Sequence, residues 1–164
     1  MKCFARIGTP LGPMVAIADG AALSGLDFAD AKYAPAVDPA WAENPALPVL
    51  RRCAEQLAEY FAGRRARFDL PLAPSGTDFQ QRVWREIAKV RHGETIPYAE
   101  LARRAGRPGA ARAAGAATGR NPLAIVVPCH RVVGARGALT GYAGGLPRKA
   151  RLLALESPAK APAA

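Results

Sequence analysis

The chain has 164 residues, half of them nominally hydrophobic, which is enough for one ordinary domain or two small ones with a buried core. Its 23 Lys and Arg against 13 Asp and Glu leave a net charge of +10, mostly as arginine, which favours a polyanionic partner such as nucleic acid or an acidic membrane surface. No run approaches a bilayer span and the N-terminus has no apolar signal segment, so a soluble, cytoplasmic protein is expected. Cys3, Cys53 and Cys129 are widely spaced with no Cys-x-x-Cys pair, and only His92 and His130 could add imidazole ligands. A disulfide framework, a metal site and a cofactor are therefore not expected.

Residues 2–28 alternate apolar segments with turn signals at Thr9-Pro10-Leu11-Gly12-Pro13 and Asp19-Gly20, the pattern of a small antiparallel meander with Cys3 in its first strand. Residues 29–47, rich in Ala, Pro and Asp, lack periodicity and read as a loop. From Pro48, the residues Leu50, Cys53, Leu57, Tyr60 and Phe61 recur at helical spacing until Gly63, with Cys53 as a packing residue on the apolar stripe. Arg67-Phe68-Asp69-Leu70-Pro71-Leu72 reads as a short returning strand. No catalytic spacing is recognisable in this half, so it reads as a scaffold.

Ala73-Pro74-Ser75-Gly76 reads as a boundary between domains of residues 1–75 and 76–164. Thr77, three residues before Gln80, predicts a capping box, and Phe79, Val83, Trp84, Ile87 and Val90 form a helical stripe closed by His92-Gly93-Glu94. A helix over 98–105, the turn Gly106-Arg107-Pro108-Gly109 and a helix over 110–118 match a helix-turn-helix. Almost every side chain of the second helix is small, whereas a base-reading helix displays several of Asn, Gln, Arg or Ser. With Arg112 at its tip, that helix can approach a duplex closely without reading sequence; the alternative is burial against a neighbouring element.

Gly119 reads as a C-cap and Arg120-Asn121-Pro122 as a bend into a buried apolar strand, Ile125-Val126-Val127. Residues 134–137 read as a hairpin turn, and Ala138-Leu139-Thr140-Gly141-Tyr142-Ala143-Gly144-Gly145 as a glycine-rich loop whose backbone can approach a planar ligand. Pro147 opens a last helix with Leu152, Leu153 and Leu155 inward and Glu156 at its end, before a frayed tail over 157–164. Between these segments, Cys129 is the candidate nucleophile. A thiol attacks as its thiolate, which needs nearby positive charge or a base, and His130 and Arg131 follow it directly. In an extended strand, neighbours point to opposite faces, so a bend at Pro128 or a bridging water must connect His130 to the sulfur. Read alone, the five residues also fit an inert buried cysteine beside a hydrogen-bonded histidine.

Taken together, Pro128-Cys129-His130-Arg131-Val132, Arg120-Asn121-Pro122, Gly141-Tyr142-Ala143-Gly144-Gly145 and Leu152-Leu153-Ala154-Leu155-Glu156 resemble the O6-alkylguanine-DNA alkyltransferases of bacterial type. The match is dense over 79–156 and looser over 1–75, where it rests on Thr9-Pro10-Leu11-Gly12 and the order of elements. The resemblance implies an α/β fold, an N-terminal ribonuclease H-like domain followed by a C-terminal winged helix-turn-helix domain that holds the reactive cysteine. It also implies direct-reversal DNA repair. An alkyl group would pass from O6 of guanine, and from O4 of thymine, to Cys129 in one irreversible turnover without a cofactor.

The resemblance assigns roles residue by residue. His130 would accept the thiol proton through a water, and Glu156 would support the imidazolium. Asn121 would tie the helix-turn-helix to the active-site strand, and Tyr98 would donate to the guanine ring as the base departs. The carbonyls of Cys129 and Val132 would accept from the exocyclic amine, the amide of Ala143 would face O6, and Tyr142 and Gly144 would flank it. Ala113 and Gly115 belong to the helix that would enter the minor groove, and Arg112 would fill the space left by the flipped nucleotide. The partner would be double-stranded DNA containing O6-alkylguanine, bound mainly through phosphates with weak cooperative self-association and no membrane contact.

The sequence departs from some relatives. Ala143 stands where certain members have serine, which removes a hydroxyl and changes which bulky alkyl groups fit. The zinc site of some members has no candidate ligand here beyond Cys3, and the phosphotriester-repair domain of others has no counterpart, so no transcriptional role is expected. Two rival classes remain: a damage binder without chemistry, against which Cys129 argues, and a cysteine hydrolase, which would turn over without DNA and show an oxyanion-hole motif.

Overall fold

Short turns between apolar runs build the first of two compact units, Met1–Ser75; the second begins at Gly76. The computed structural model describes residues 1–157, so the tail expected over 157–164 lies, from residue 158, outside the described residues. In the first unit Lys2–Ile7 (β1), Met14–Asp19 (β2) and Ala22–Phe28 (β3) pair antiparallel, in a register running from Lys2 opposite Asp19 to Ile7 opposite Met14. Gly20, at φ +61, makes the tight turn between β2 and β3 that a side chain would strain. The loop expected over 29–47 contains a strand after all: Ala42–Glu43 (β4) pairs parallel with β1, completing the sheet order β3-β2-β1-β4. Two exposed residues on an edge strand carry no periodicity, and tertiary contacts place them, among them the Arg6–Glu43 ion pair at 2.8 Å.

Pro48–Phe61 (α1) packs on β1, β2 and β3 through Val49, Leu50, Cys53, Leu57 and Tyr60. Proline in the first turn suits the helix start, where its missing N–H has no intrahelical partner. The returning strand expected over 67–72 is reduced to one bridge, Leu23 with Leu72. Gln56 explains why the segment is held without a ladder. Its Nε2 donates to the Asp69 carbonyl at 3.0 Å and its Oε1 accepts from the Asp69 N–H at 2.9 Å, so a side chain satisfies the backbone groups that a strand would have paired.

In the second unit Asp78–Ala88 (α2) begins with the expected capping box, Thr77 and Gln80 each bonding the other's backbone N–H. Its buried face is Val83, Trp84 and Ile87, and Trp84 Nε1 donates to the Ala117 carbonyl at 2.8 Å. Gly76 is required against that indole, since a Cβ there would meet the Trp84 ring at 2.4 Å. Tyr98–Arg104 (α3) follows the two-residue strand Ile96–Pro97 (β5), and Ala111–Gly119 (α4) completes the helix-turn-helix. Gly106 and Gly109 both take positive φ in the turn between α3 and α4.

Beyond α4 the structure corrects several expectations. Ile125-Val126-Val127 is a turn, not a strand, with Ile125 buried at φ +70 and one bridge between Ala124 and Val127. Cys129–Arg131 is a single 3₁₀ turn leading into Val132–Val133 (β6), which pairs parallel with β5. Residues 134–137 form no hairpin; Ala135–Gly137 is a second 3₁₀ turn with Arg136 and Gly137 at positive φ. In Leu146–Glu156 (α5) only Leu152 of the three leucines is fully buried, and its inward companions are Lys149 and Glu156. Positions 149, 152 and 156 share one helix face, and polar partners in the core let two charged residues occupy it. Among the described residues, no helix is long and apolar enough to cross a membrane.

Candidate active site

Backbone hydrogen bonds fold the chain before Cys129 into a compact clip. The Val127 N–H bonds the Leu123 carbonyl at 2.9 Å and the Cys129 N–H bonds the Val127 carbonyl at 2.7 Å. Asn121, itself 7% exposed, closes the clip from inside. Its Nδ2 donates to the Val127 carbonyl at 2.8 Å and to the Leu123 carbonyl at 3.4 Å, while its Oδ1 accepts from the Leu123 N–H at 3.0 Å. A β-branched residue at positive φ is a strained outlier costing about 1–3 kcal/mol, and it persists where surrounding bonds leave no alternative. Asn121 supplies those bonds for Ile125.

The 3₁₀ turn then settles how Cys129 and His130 are presented. Successive side chains on such a turn are about 120° apart, not on opposite faces, so the strand geometry expected from sequence does not apply. Cys129 is 8% exposed, His130 fully buried and Arg131 5% exposed. Glu156, at the end of α5, meets both basic residues. Its Oε2 lies 2.7 Å from His130 Nε2 and accepts from Arg131 Nη2 at 2.9 Å, and its Oε1 accepts from Arg131 Nε at 2.7 Å. The remaining guanidinium nitrogen of Arg131, Nη1, donates to the Val90 carbonyl at 2.7 Å. His130 Nδ1 is buried and makes no hydrogen bond among the described residues.

The electrostatics follow from this packing. Burial works to raise the Glu156 pKa, but the hydrogen bonds and charges of His130 and Arg131 outweigh it and hold the carboxyl well below its usual range. Burial lowers the pKa of His130, and the opposing hydrogen bond to Glu156 does not restore it, with the charges of Arg131 and Lys149 adding to the depression. A carboxylate facing Nε2 places the ring proton there, which leaves the lone pair on Nδ1.

A second cluster lies within reach of the Cys129 charge. Tyr98, half-buried at the start of α3, donates its hydroxyl to the Thr140 carbonyl at 3.1 Å. Lys149 is fully buried on α5, and its Nζ donates to the carbonyls of Thr140 at 2.9 Å and Gly141 at 3.1 Å while lying 5.8 Å from the centre of the Tyr98 ring. Burial lowers the Lys149 pKa and raises that of Tyr98, and the charge of Cys129 acts on both. The Tyr98 ring also lies 3.7 Å from the position a Cβ of Gly115 would take, so α4 and the glycine-rich loop meet at one aromatic side chain.

Of the residues expected from sequence, Cys129, His130 and Glu156 lie in one buried group, and Asn121 shapes the clip that leads to it. Tyr98, Gly115 and the 140–144 loop form its neighbour, with Tyr142, Ala143 and Gly144 half-buried. Val132 is buried in β6, directly after the Cys129–Arg131 turn. Arg112 is exposed at the first turn of α4 and Ala113 half-buried on it. Two residues matter in this geometry beyond the roles expected from sequence: Lys149, which the sequence does not single out, and Arg131, which it offers only as a charge next to Cys129. The signal for Lys149 was its place on the face of Leu152 and Glu156; Arg131 bonds Val90, 41 residues away, which no local pattern reveals. Among the described residues, no group of His, Cys, Asp and Glu could hold a metal ion.

Known proteins share both units. The family model for the 6-O-methylguanine DNA methyltransferase ribonuclease-like domain matches residues 4–74, and that for the DNA binding domain of the same family matches residues 78–158. A methylated-DNA–protein-cysteine methyltransferase of Mycolicibacterium paratuberculosis is 47% identical over 153 residues, covering 93% of this chain and 91% of its own. A protein of the same name from Methanosarcina acetivorans is 45% identical, covering 93% and 97%. The crystal structure of the Mycobacterium tuberculosis O6-methylguanine methyltransferase is similar with a TM-score of 0.87 at 44% identity, covering all of this chain and 97% of the other. A structure of the M. tuberculosis protein in complex with DNA is similar with a TM-score of 0.86 over 95% of each chain.

Proposed function

The chain belongs to the methylated-DNA–protein-cysteine methyltransferase family, and from that premise we propose that it repairs O6-alkylguanine, and O4-alkylthymine, in duplex DNA by moving the alkyl group onto Cys129. The observation that carries this reading is the buried turn in which Cys129 precedes a histidine held by Glu156. The thiol proton passes to His130 Nδ1, directly or through one water, and the sulfur displaces guanine O6 at the alkyl carbon. One S–C bond forms as the C–O6 bond breaks, and the departing guanine takes up a proton to regain its ordinary form. The thioether has no route back to a thiol, so each molecule reacts once.

The remaining residues support that step. Tyr98 donates to the guanine ring as negative charge develops there. Its hydroxyl can leave the Thr140 carbonyl at little cost, because Lys149 Nζ already bonds the same oxygen at 2.9 Å. The backbone carbonyls of Cys129 and Val132 receive the exocyclic amine, and the amide of Ala143, flanked by Tyr142 and Gly144, meets O6. Asn121 fixes where Cys129 stands by holding the clip. The exposed Arg112 fills the stack once the nucleotide is flipped, and Ala113 and Gly115 let α4 lie close in the minor groove. The net charge of +10 makes binding to the duplex salt-dependent, and weak cooperative self-association along it belongs to the same reading. We place its work in the cytoplasm, where DNA and a reducing medium keep substrate and thiol available. The domains act as a scaffold over 1–75 and a DNA-binding alkyl acceptor over 76–164.

The experiment is intact mass and peptide mapping after incubation with duplex DNA carrying one O6-methylguanine. A single added methyl group on Cys129, with the base restored and the reaction stopping at one equivalent, is the expected result. Binding without a mass change would instead assign a damage-recognition role.

A further inference from the structure

We propose that Arg131 is a positioning residue whose charge, held against Glu156, keeps His130 an uncharged imidazole ready to take the thiol proton. The inference rests on the alkyl-transfer reading of Cys129 and deepens it. Its basis is a count of buried charge. Arg131 grips Glu156 with Nε and Nη2 at 2.7 and 2.9 Å, a fork matched to a carboxylate, and Nη1 anchors it to the Val90 carbonyl at 2.7 Å. That pair sums to zero, so the cluster is balanced when His130 is neutral. A proton on the imidazole would place an uncompensated positive charge in a site where His130 is fully buried and Glu156 3% exposed.

The groups that face His130 agree with this count. From α5 come Glu156, at 2.7 Å, and the ammonium of Lys149, whose charge also opposes imidazolium. From its own turn come Cys129 and Arg131. On α2, which packs on the same turn, the buried face is Val83, Trp84 and Ile87, and Glu86 is paired with Lys89 at 2.7 Å. Glu156 is therefore the one carboxylate in contact with the ring among the described residues, and Arg131 shares its Oε2 with it. Without Arg131, Glu156 would have one close partner for its charge, and His130 would supply it by binding a proton. An imidazolium cannot accept a second proton from the thiol.

The test reads the pH dependence of single-turnover methyl transfer together with the titration of His130 by NMR of the isotope-labelled ring in protein without DNA. In the wild type His130 should stay neutral at about pH 6.5, the ordinary midpoint for histidine. In Arg131→Gln the ring titration and the acid limb of transfer should move upward together by about one pH unit or more, with at least ~10-fold slower transfer below the limb. Arg131→Lys keeps the charge but not the fork, and should return the limb toward the wild-type position even where it lowers the melting temperature. Slower transfer by the same factor at every pH, with no movement of the limb, would overturn the proposal and leave Arg131 a structural brace. If Arg131→Gln does not fold, the wild-type ring decides: an imidazolium at neutral pH overturns the proposal. A wild type that shows a neutral ring but never methylates Cys129 would sink the transfer reading while leaving the electrostatic role of Arg131 standing.

Discussion

Two buried cysteines, one in each unit, show what separates packing from chemistry. Cys53 lies in the middle of α1 with no exposed surface, among Leu50 and Leu57, and burial pushes its thiol up to about 12. Cys129 is nearly as enclosed at 8% exposure, yet its charge acts on Tyr98 and on the buried ammonium of Lys149, and the next residue in its turn is a histidine held by Glu156. Enclosure in an apolar face makes a sulfur inert. Enclosure among oriented polar groups is the setting in which the proposed transfer would give its proton somewhere to go.

The strongest way to break this contrast is Cys129→Ser, which is expected to abolish methyl transfer as read by intact mass. Cys53 should gain no methyl group in that variant, because its thiol does not ionise at neutral pH. Next in size, Lys149→Met keeps the aliphatic stem and removes the donors to Thr140 and Gly141. Transfer should slow by about 10-fold, the scale of one unmade hydrogen bond, because the Thr140 carbonyl then holds the Tyr98 hydroxyl that the reaction needs. The same polar enclosure should make the second unit acid-sensitive. Glu156 and His130 both bind protons less readily folded than unfolded, so stability is full above the unfolded histidine value of ~6.5 and declines as pH falls. Thermal melts from neutral to acid pH check the direction, and a melting temperature that rises on acidification would refute it. The smallest effect is expected for Cys53→Ala, which should leave the transfer rate unchanged and cost about 1 kcal/mol of stability in denaturant titration.

Local patterns carried much of the fold. The meander, α1, the capping box of α2 and the helix-turn-helix were legible because periodicity, turn residues and caps act within a few positions. What escaped was decided over distance. Ile125-Val126-Val127 has the composition of a strand, but Asn121 bends it into a turn that β-branched residues disfavour. β4 exists because β1 offers an edge, which its own two residues do not announce. Within the candidate site, the motif pointed to Cys129, His130 and Glu156, whereas the leucines of α5 drew attention away from Lys149. A fully buried lysine is legible only once the carbonyls that receive it are in place.

The order in which these contacts close has a kinetic consequence for the thiol. The Asn121 clip joins residues six apart, so it can form as soon as the local chain collapses. The bond from His130 to Glu156 spans 26 residues, and the one from Arg131 to Val90 spans 41. Closing those longer loops requires α2 and α5 to dock, which places them late in the search. On the proposed alkyl-transfer reading, Cys129 is thus located early but armed last: a chain still folding would carry an ordinary cysteine, and reactivity would arrive with the docking of the helix that bears Glu156.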